Sequence, residues 1–186
     1  MSDHPPDDHF AALGLPRRAD LDPAVVKERF HQLSRQHHPD RASPGERPDH
    51  FESLNRAQAV LSDTPQRLRH LHELQFGDLD RAGSISDPLM AHFSEVGAAL
   101  QAANALANKK EAAQSALAKA LLEAETPTVL ATITAAQSHL ADALRLAEAR
   151  LPGIEPSPHA LAAAYRDLAF LTRWRTQLQA AFARLV

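Results

Sequence analysis

The sequence predicts an all-α protein, and three observations lead to that prediction. Apolar residues recur every three or four positions over most of the chain, which is the period of an amphipathic helix. Segments with the alternating pattern of β-strands are almost absent. Several prolines also follow a residue whose side-chain oxygen can cap a helix. These pairs are Asp22-Pro23, Thr64-Pro65, Asp87-Pro88, Thr126-Pro127 and Ser157-Pro158.

Four helices are predicted in the first 76 residues. Gly14 closes the first of them, because glycine readily adopts the left-handed conformation that follows many helices. A loop of about ten residues joins the second helix to the third, so their apolar stripes can pack together as an antiparallel hairpin. Off the apolar stripe, the second helix carries Lys27, His31 and Arg35. The four predicted helices span residues 8–13, 23–37, 49–62 and 65–74.

Residues 77–86 are polar and contain glycine, which predicts a linker between a domain of residues 1–76 and a domain of residues 87–186. The second domain is rich in alanine, and each of its three predicted helices carries an apolar stripe. Short connections between such helices are typical of an antiparallel three-helix bundle. The three helices are predicted over residues 88–124, 127–151 and 158–186.

The composition excludes several classes of protein. The chain has no cysteine, which excludes disulfides and thiolate ligation of zinc or an iron–sulfur cluster. The net charge of −3 divides into −2 for residues 1–76 and −1 for residues 77–186, so neither half has the basic excess of a nucleic-acid-binding protein. No apolar run approaches the roughly 20 residues that span a bilayer, and the acidic N-terminus is unlike a signal peptide. A cytoplasmic protein without nucleic-acid or membrane partners is therefore expected.

No motif supports an enzyme active site or a metal site. The chain has 11 histidines, but the closest pairs, His37-His38 and His70 with His72, lack the spacing that puts two ligands on one helical face. There is no HExxH motif, no glycine-rich phosphate loop and no GxSxG motif. We therefore expect no catalytic residue, no metal and no cofactor.

A His-Pro-Asp tripeptide occupies the loop of the predicted hairpin. Pro39 ends the preceding helix, because proline lacks an N–H group and crowds the previous turn. His38 and Asp40 therefore flank a fixed corner, where the carboxylate can pair with an arginine of a partner in a fork geometry. The structural alternative is a solvated loop.

This pattern resembles the J domain, the module that switches on ATP hydrolysis by DnaK-type chaperones. The resemblance spans residues 8–76 and rests on the element order and on several motifs in register. Besides His38-Pro39-Asp40, these motifs are Phe10-Ala11-Ala12-Leu13-Gly14-Leu15, Asn55-Arg56-Ala57, Leu61-Ser62-Asp63 and Arg67.

The resemblance implies a chaperone-binding site on the hairpin. Asp40 would contact an arginine of the chaperone ATPase, and His38 and Pro39 would shape the corner. The candidate docking cations are Lys27, Arg35 and Arg41, for which the alternative is an ordinary solvated helix face. Many J domains carry more lysine and arginine on this face, whereas this chain has His31 and Gln32. Weaker or pH-sensitive docking follows as a hypothesis.

More narrowly, Leu13-Gly14-Leu15-Pro16 followed by Leu21-Asp22 resembles the HscB family of co-chaperones for iron–sulfur cluster assembly. In that family a three-helix bundle follows the J domain and binds the scaffold protein on which the cluster is assembled. The resemblance implies scaffold contacts at Leu89, Met90, Phe93, Arg166, Phe170 and Arg173. Spacing alone favours ordinary packing for the flank that holds Phe170, whereas the resemblance favours an exposed partner surface.

The sequence therefore leaves two possible functions open. The first is a co-chaperone that stimulates a DnaK/HscA-type ATPase and delivers an IscU-like iron–sulfur scaffold protein to it. The second is a J-domain adaptor whose bundle serves a different client, self-association or architecture alone. The family's first bundle helix is typically rich in glutamate after an apolar pair, which is Leu89-Met90 in this chain. Here that stretch contains Ala91, Ser94 and Gly97 instead.

Overall fold

The computed structural model describes residues 7–36, 49–79, 83, 86–155 and 157–186. Within these ranges all regular structure is helical, which confirms the predicted all-α class. A 3₁₀ turn at Leu151–Gly153 precedes the last helix. The helices are α1 (His9–Leu13), α2 (Pro23–Gln36), α3 (Asp49–Ser62), α4 (Thr64–Phe76), α5 (Asp87–Ala112), α6 (Ala116–Ala149) and α7 (Pro158–Ala183).

The chain divides into two units. The first contains residues 1–83 and 150–166, and the second contains residues 84–149 and 167–186. Helix α7 therefore belongs to both units. Residues 150–166 group with the first unit, although the sequence assigned them to the second domain. The boundaries at residues 77–86 stay a prediction.

In the first unit, α3 packs against α1, α2 and α4. Asp8 caps α1 by accepting a hydrogen bond from the Ala11 amide at 3.1 Å. Gly14 ends α1 with φ = 61°, a conformation that costs glycine little and other residues more. The apolar core of these helices is fully buried at Phe10, Leu13, Val26, Leu54, Ala57, Leu61 and Leu68.

A buried arginine connects three segments of this unit. Arg67 in α4 is only 2% exposed. Its Nε group donates to the carbonyl oxygen of Ala19 at 2.9 Å, and Nη1 donates to the carbonyl oxygen of Leu61 at 2.6 Å. Its Nη2 group donates to the Thr64 hydroxyl at 3.3 Å. The guanidinium thus fixes the segment before α2 to the corner between α3 and α4.

Two histidines are buried where α1 meets α4. The backbone amide of His9 donates to Nε2 of His70 at 3.1 Å, so this ring nitrogen must be unprotonated. The two imidazole rings lie 4.4 Å apart, and Phe10 stacks on His70 at 5.6 Å. Burial lowers the pKa of both imidazoles, and the proximity of His9 lowers that of His70 further.

In the second unit, α5 and α6 form an antiparallel hairpin. Near the turn, Lys110 pairs with Glu123 at 3.1 Å, and at the other end His139 Nδ1 lies 2.7 Å from a Glu95 carboxylate oxygen. The core positions between these ends repeat every three or four residues, as predicted from the sequence. They are Val96, Ala99, Ala103 and Leu106 in α5 and Val129, Ile133, Ala136 and Leu140 in α6.

Helix α7 runs parallel to α5 in this unit. The Ser86 amide before α5 donates to the Asp167 carboxylate at 3.1 Å, and near the other end Arg184 pairs with Glu111 at 2.7 Å. Together with the α5–α6 hairpin, this gives the up–down–up order of an antiparallel three-helix bundle, which confirms the predicted architecture. Leu168, Leu171 and Leu178 of α7 are buried.

The predicted boundary between the first two bundle helices is wrong. Helix α5 ends at Ala112 and α6 begins at Ala116, whereas the sequence placed the break near Thr126-Pro127. Ser115 caps α6 by accepting a hydrogen bond from the Ala118 amide at 3.1 Å. Lys109 and Lys110 occupy the last turn of α5, where cations are favoured by the helix dipole.

Pro127 lies inside α6 instead of starting a helix. A proline there leaves the carbonyl four residues earlier without its helical partner. Glu123 and Pro127 are both exposed, so water can satisfy that carbonyl. The Thr126 hydroxyl donates to the Leu122 carbonyl at 2.9 Å instead of capping a helix.

We predict that Arg67→Met destabilises the protein by about 3 kcal/mol, because two buried carbonyl groups lose their donors while the apolar volume is kept. Urea unfolding followed by circular dichroism measures this loss. Arg69→Met is the matched control, since Arg69 is 43% exposed and its pair with Glu73 contributes less than about 1 kcal/mol. Equal stability of the two variants would contradict the role of Arg67.

We also predict that acid weakens the fold through His9 and His70. Because burial lowers their pKa, the unfolded chain binds protons more readily as the pH falls below about 6.5, so the free energy of unfolding decreases towards pH 5. His70→Gln keeps a hydrogen-bond acceptor but cannot be protonated, and it reduces this pH dependence. Unfolding in urea at pH 5, 6 and 7 tests the prediction, with the exposed His159→Gln as control. Identical pH dependence in both variants would refute it.

Candidate functional site

Two of the six predicted chaperone-binding residues lie in the described part of the chain. Lys27 and Arg35 are both exposed on α2. The other four, His38, Pro39, Asp40 and Arg41, lie outside the described residues.

Helix α2 presents a row of basic side chains. Lys27, His31 and Arg35 follow one another at intervals of four residues, so they lie along one face of the helix. With Ala24, Glu28 and Gln32 they line a shallow depression. Within the described ranges, neither Lys27 nor Arg35 forms an ion pair. We call Lys27, His31 and Arg35 the basic row.

Arg29 holds α2 in place, although the sequence analysis did not single it out. Its Nε group donates to the carbonyl oxygen of Leu13 at 3.0 Å. A Cβ atom at Gly14 would lie 3.0 Å from the Arg29 guanidinium, so glycine at this position also leaves room for the side chain. In the sequence, Gly14 was the residue that could have indicated that a side chain approaches the end of α1 closely.

An exposed aromatic surface lies on the second unit. Met90 is 53% exposed, Phe93 57% and Phe170 37%. Trp174, which is 7% exposed, lies between the two phenylalanines, with ring centroids 6.0 Å from Phe93 and 5.9 Å from Phe170. We call Met90, Phe93, Phe170 and Trp174 the aromatic surface. Exposed apolar clusters of this kind are typical of partner-binding sites.

The other three predicted scaffold contacts are Leu89, Arg166 and Arg173, and they do not belong to the aromatic surface. Leu89 is 4% exposed, so it supports α5 from the core and does not belong to the accessible surface. Arg173 is exposed on α7. Arg166 belongs to the first unit, where its guanidinium lies against Gly83. A Cβ atom at Gly83 would be 2.8 Å from the guanidinium carbon.

Trp174 is the residue that organises the aromatic surface, and the predicted contact set omitted it. The interval from Phe170 to Trp174 is four residues, which puts both rings on one face of α7. Contact with Phe93 on α5 could not be read from that interval, because it depends on the parallel register of the two helices.

The described residues contain no group of three or more histidine, cysteine, aspartate or glutamate side chains placed to hold a metal ion. Among the described helices, none combines the length and apolar character needed to cross a membrane. The expected lack of a metal, a cofactor and catalytic activity stays a prediction.

Comparison with known proteins finds a family match within the first unit. The family model of the DnaJ domain matches residues 8–70, which include α1, α2, α3 and most of α4. The chain carries a DnaJ domain. The match places the basic row on the second helix of that domain.

The curated relatives share this domain with the chain. Chaperone protein DnaJ 2 of Thermus thermophilus is 40% identical over 60 residues, which are 32% of this chain and 21% of the relative. Chaperone protein DnaJ of Synechococcus elongatus is 34% identical over 80 residues, or 42% of this chain and 27% of the relative. The chain thus spans about a quarter of the length of these relatives.

A solved structure shares the fold beyond the DnaJ domain. Chaperone HscB from Vibrio cholerae matches with a TM-score of 0.56 over 96% of this chain and 99% of that chain, at 21% sequence identity. The resemblance drawn from the sequence is thus confirmed at the level of the fold, which combines a DnaJ domain with further helices.

We predict that the residues of the aromatic surface differ in their effect on stability. Trp174→Ala costs about 3 kcal/mol, because it leaves a cavity beneath the two phenylalanines. Phe93→Ala costs less than about 1 kcal/mol, because more than half of this side chain is already in water. Urea unfolding of both variants measures the difference. A loss for Phe93→Ala as large as that for Trp174→Ala would show that Phe93 belongs to the core.

Proposed function

We propose that the chain is a co-chaperone that stimulates the ATPase of a DnaK/HscA-type chaperone. The DnaJ domain over residues 8–70 carries this proposal. The His-Pro-Asp motif in the sequence and the basic row on α2 support it, since the motif begins two residues after the last residue of α2.

In the proposed mechanism, Asp40 pairs with an arginine of the chaperone ATPase. A carboxylate and a guanidinium form a directional fork, which links docking to a defined geometry. His38 and Pro39 shape the corner that presents Asp40, while Lys27, Arg35 and Arg41 steer the domain towards an acidic surface of the chaperone. The chain itself supplies no catalytic group in this proposal.

The proposed client is an iron–sulfur scaffold protein of the IscU type. Two observations support this choice: the fold shared with Chaperone HscB, and the exposure of Met90, Phe93 and Phe170 at positions that resemble the family's apolar contacts. In this proposal the aromatic surface holds the scaffold, and Arg173 contributes a polar contact.

One observation favours the second candidate, a J-domain adaptor with a different client. Ala91, Ser94 and Gly97 follow the apolar pair where the family is typically rich in glutamate. The nearby Glu95 is already engaged by His139 at 2.7 Å. A basic scaffold surface would therefore find few free carboxylates on this part of α5.

The domain limits and the location belong to the same proposal. We propose that residues 1–76 act on the chaperone, that residues 77–86 are a linker and that residues 87–186 hold the client. A cytoplasmic site of action is the setting in which the two partners are expected.

We predict that Asp40→Asn lowers ATPase stimulation by more than about tenfold, because an amide cannot replace the charge of the carboxylate in the fork. Steady-state ATP hydrolysis by a DnaK-type chaperone measures the effect at saturating concentrations of the full chain. Asp142→Asn is the matched control, because Asp142 is an exposed residue of α6. Stimulation that survives Asp40→Asn would refute the co-chaperone proposal.

We predict that Met90→Ala, Phe93→Ala and Phe170→Ala each weaken capture of an iron–sulfur scaffold protein, by about tenfold for the most central residue. Titration calorimetry with the full chain measures the affinity. Leu146→Ala is the control, since Leu146 is 54% exposed on α6 and lies outside the aromatic surface. If the three substitutions leave the affinity for the scaffold unchanged, the result favours the adaptor. Stimulation of the chaperone ATPase is expected to remain in that case.

A further inference from the structure

The basic row has a titratable residue at its centre. Lys27 and Arg35 are eight residues apart on α2, which is about 12 Å along a helix axis. His31 lies midway between them and is exposed. Histidine is the side-chain type whose unperturbed charge changes between pH 5 and 8.

Among the described residues, few charged groups lie near His31. The residues that line the depression around His31 all belong to α2. Apart from the basic row, the charged residue in this lining is Glu28. Glu28 accepts a hydrogen bond from Gln32 at 3.3 Å. The described parts of α1 and α3, which pack against α2, contribute no charged group to the lining. Phe30 lies beside the imidazole, with ring centroids 5.6 Å apart.

We propose that His31 sets the strength of docking to an acidic surface of the chaperone, so that protonation strengthens docking and deprotonation weakens it. This inference rests on the proposed co-chaperone function. It concerns the docking step, whereas Asp40 concerns the contact that switches on hydrolysis.

The position of His31 explains why this residue, and not the other histidines, has this effect. His9, His70 and His72 are buried in the first unit, so they do not reach a partner. His92 and His139 lie next to a carboxylate in the second unit, since their Nδ1 atoms are 3.9 and 2.7 Å from the Glu95 oxygens. Among the described histidines, His31 alone is flanked by two cations that form no ion pair within the described ranges.

The test measures ATPase stimulation as a function of the concentration of the full chain, at pH 6, 7 and 8 and low ionic strength. The probe is a DnaK-type chaperone, and its own response to pH is subtracted. The unsubstituted chain is expected to reach half-maximal stimulation at a concentration roughly two- to fivefold lower at pH 6 than at pH 8, the range expected from one exposed ion pair. High salt should remove the difference, because it screens exposed charges.

Three variants make the assignment to His31 specific. His31→Lys is expected to dock tightly at all three pH values, and His31→Gln is expected to dock weakly at all three. His159→Gln, which removes an exposed histidine of α7, should behave like the unsubstituted chain. A pH dependence that persists in His31→Gln, or none in the unsubstituted chain, overturns this inference while the co-chaperone function stands. No stimulation at any pH overturns both.

Discussion

The buried guanidinium of Arg67 is the constraint on which the first unit depends. It satisfies the carbonyl groups of Ala19 and Leu61 at positions where water is excluded, and a buried carbonyl without a donor is costly. These two carbonyls belong to the segment that leads into α2 and to the end of α3. The same guanidinium therefore connects the segment before α2 to the corner between α3 and α4. Through Arg29, which donates to the carbonyl of Leu13, the end of α1 is joined to α2 as well.

The basic row and the aromatic surface both lie on helices that buried contacts hold in place. The side chains of the basic row need no partner within the described part of the chain, because polar contacts elsewhere already hold α2 in place. The second unit uses a different device. Its core consists largely of alanine and leucine, and Trp174 fills the space beside α5 while leaving Phe93 and Phe170 accessible. In both units a buried side chain supports a group of exposed side chains.

Local signals in the sequence predicted most of the fold. Asp22 and Ser157 cap their helices as expected, because the amides two and three positions later donate to their side chains at 2.8 and 3.2 Å. At Thr64-Pro65 and Asp87-Pro88 the helix begins one residue earlier than this signal predicted. The same type of signal failed at Thr126-Pro127. A proline signals a helix start only where the preceding turn is absent, and an exposed helix rich in alanine can accommodate the lost hydrogen bond. Ser115 carried the correct signal without a proline.

The candidate sites were predictable only in part, since they depend on how separate helices meet. The interval of four residues placed Lys27, His31 and Arg35 on one face. No interval in the sequence could show that Leu89 is buried, that Phe93 contacts Trp174 or that Arg29 reaches the end of α1. These facts depend on helix register, which arises from packing over the whole unit.

The most direct test of the account is an NMR titration of the isotope-labelled full chain with an unlabelled DnaK-type chaperone. The account predicts that the amide resonances of α2 and of residues 37–48 shift or broaden first, while those of α4 change little. Changes confined to α4 or to the second unit, with α2 unaffected, would contradict the claim that this chain acts on a chaperone through its second helix.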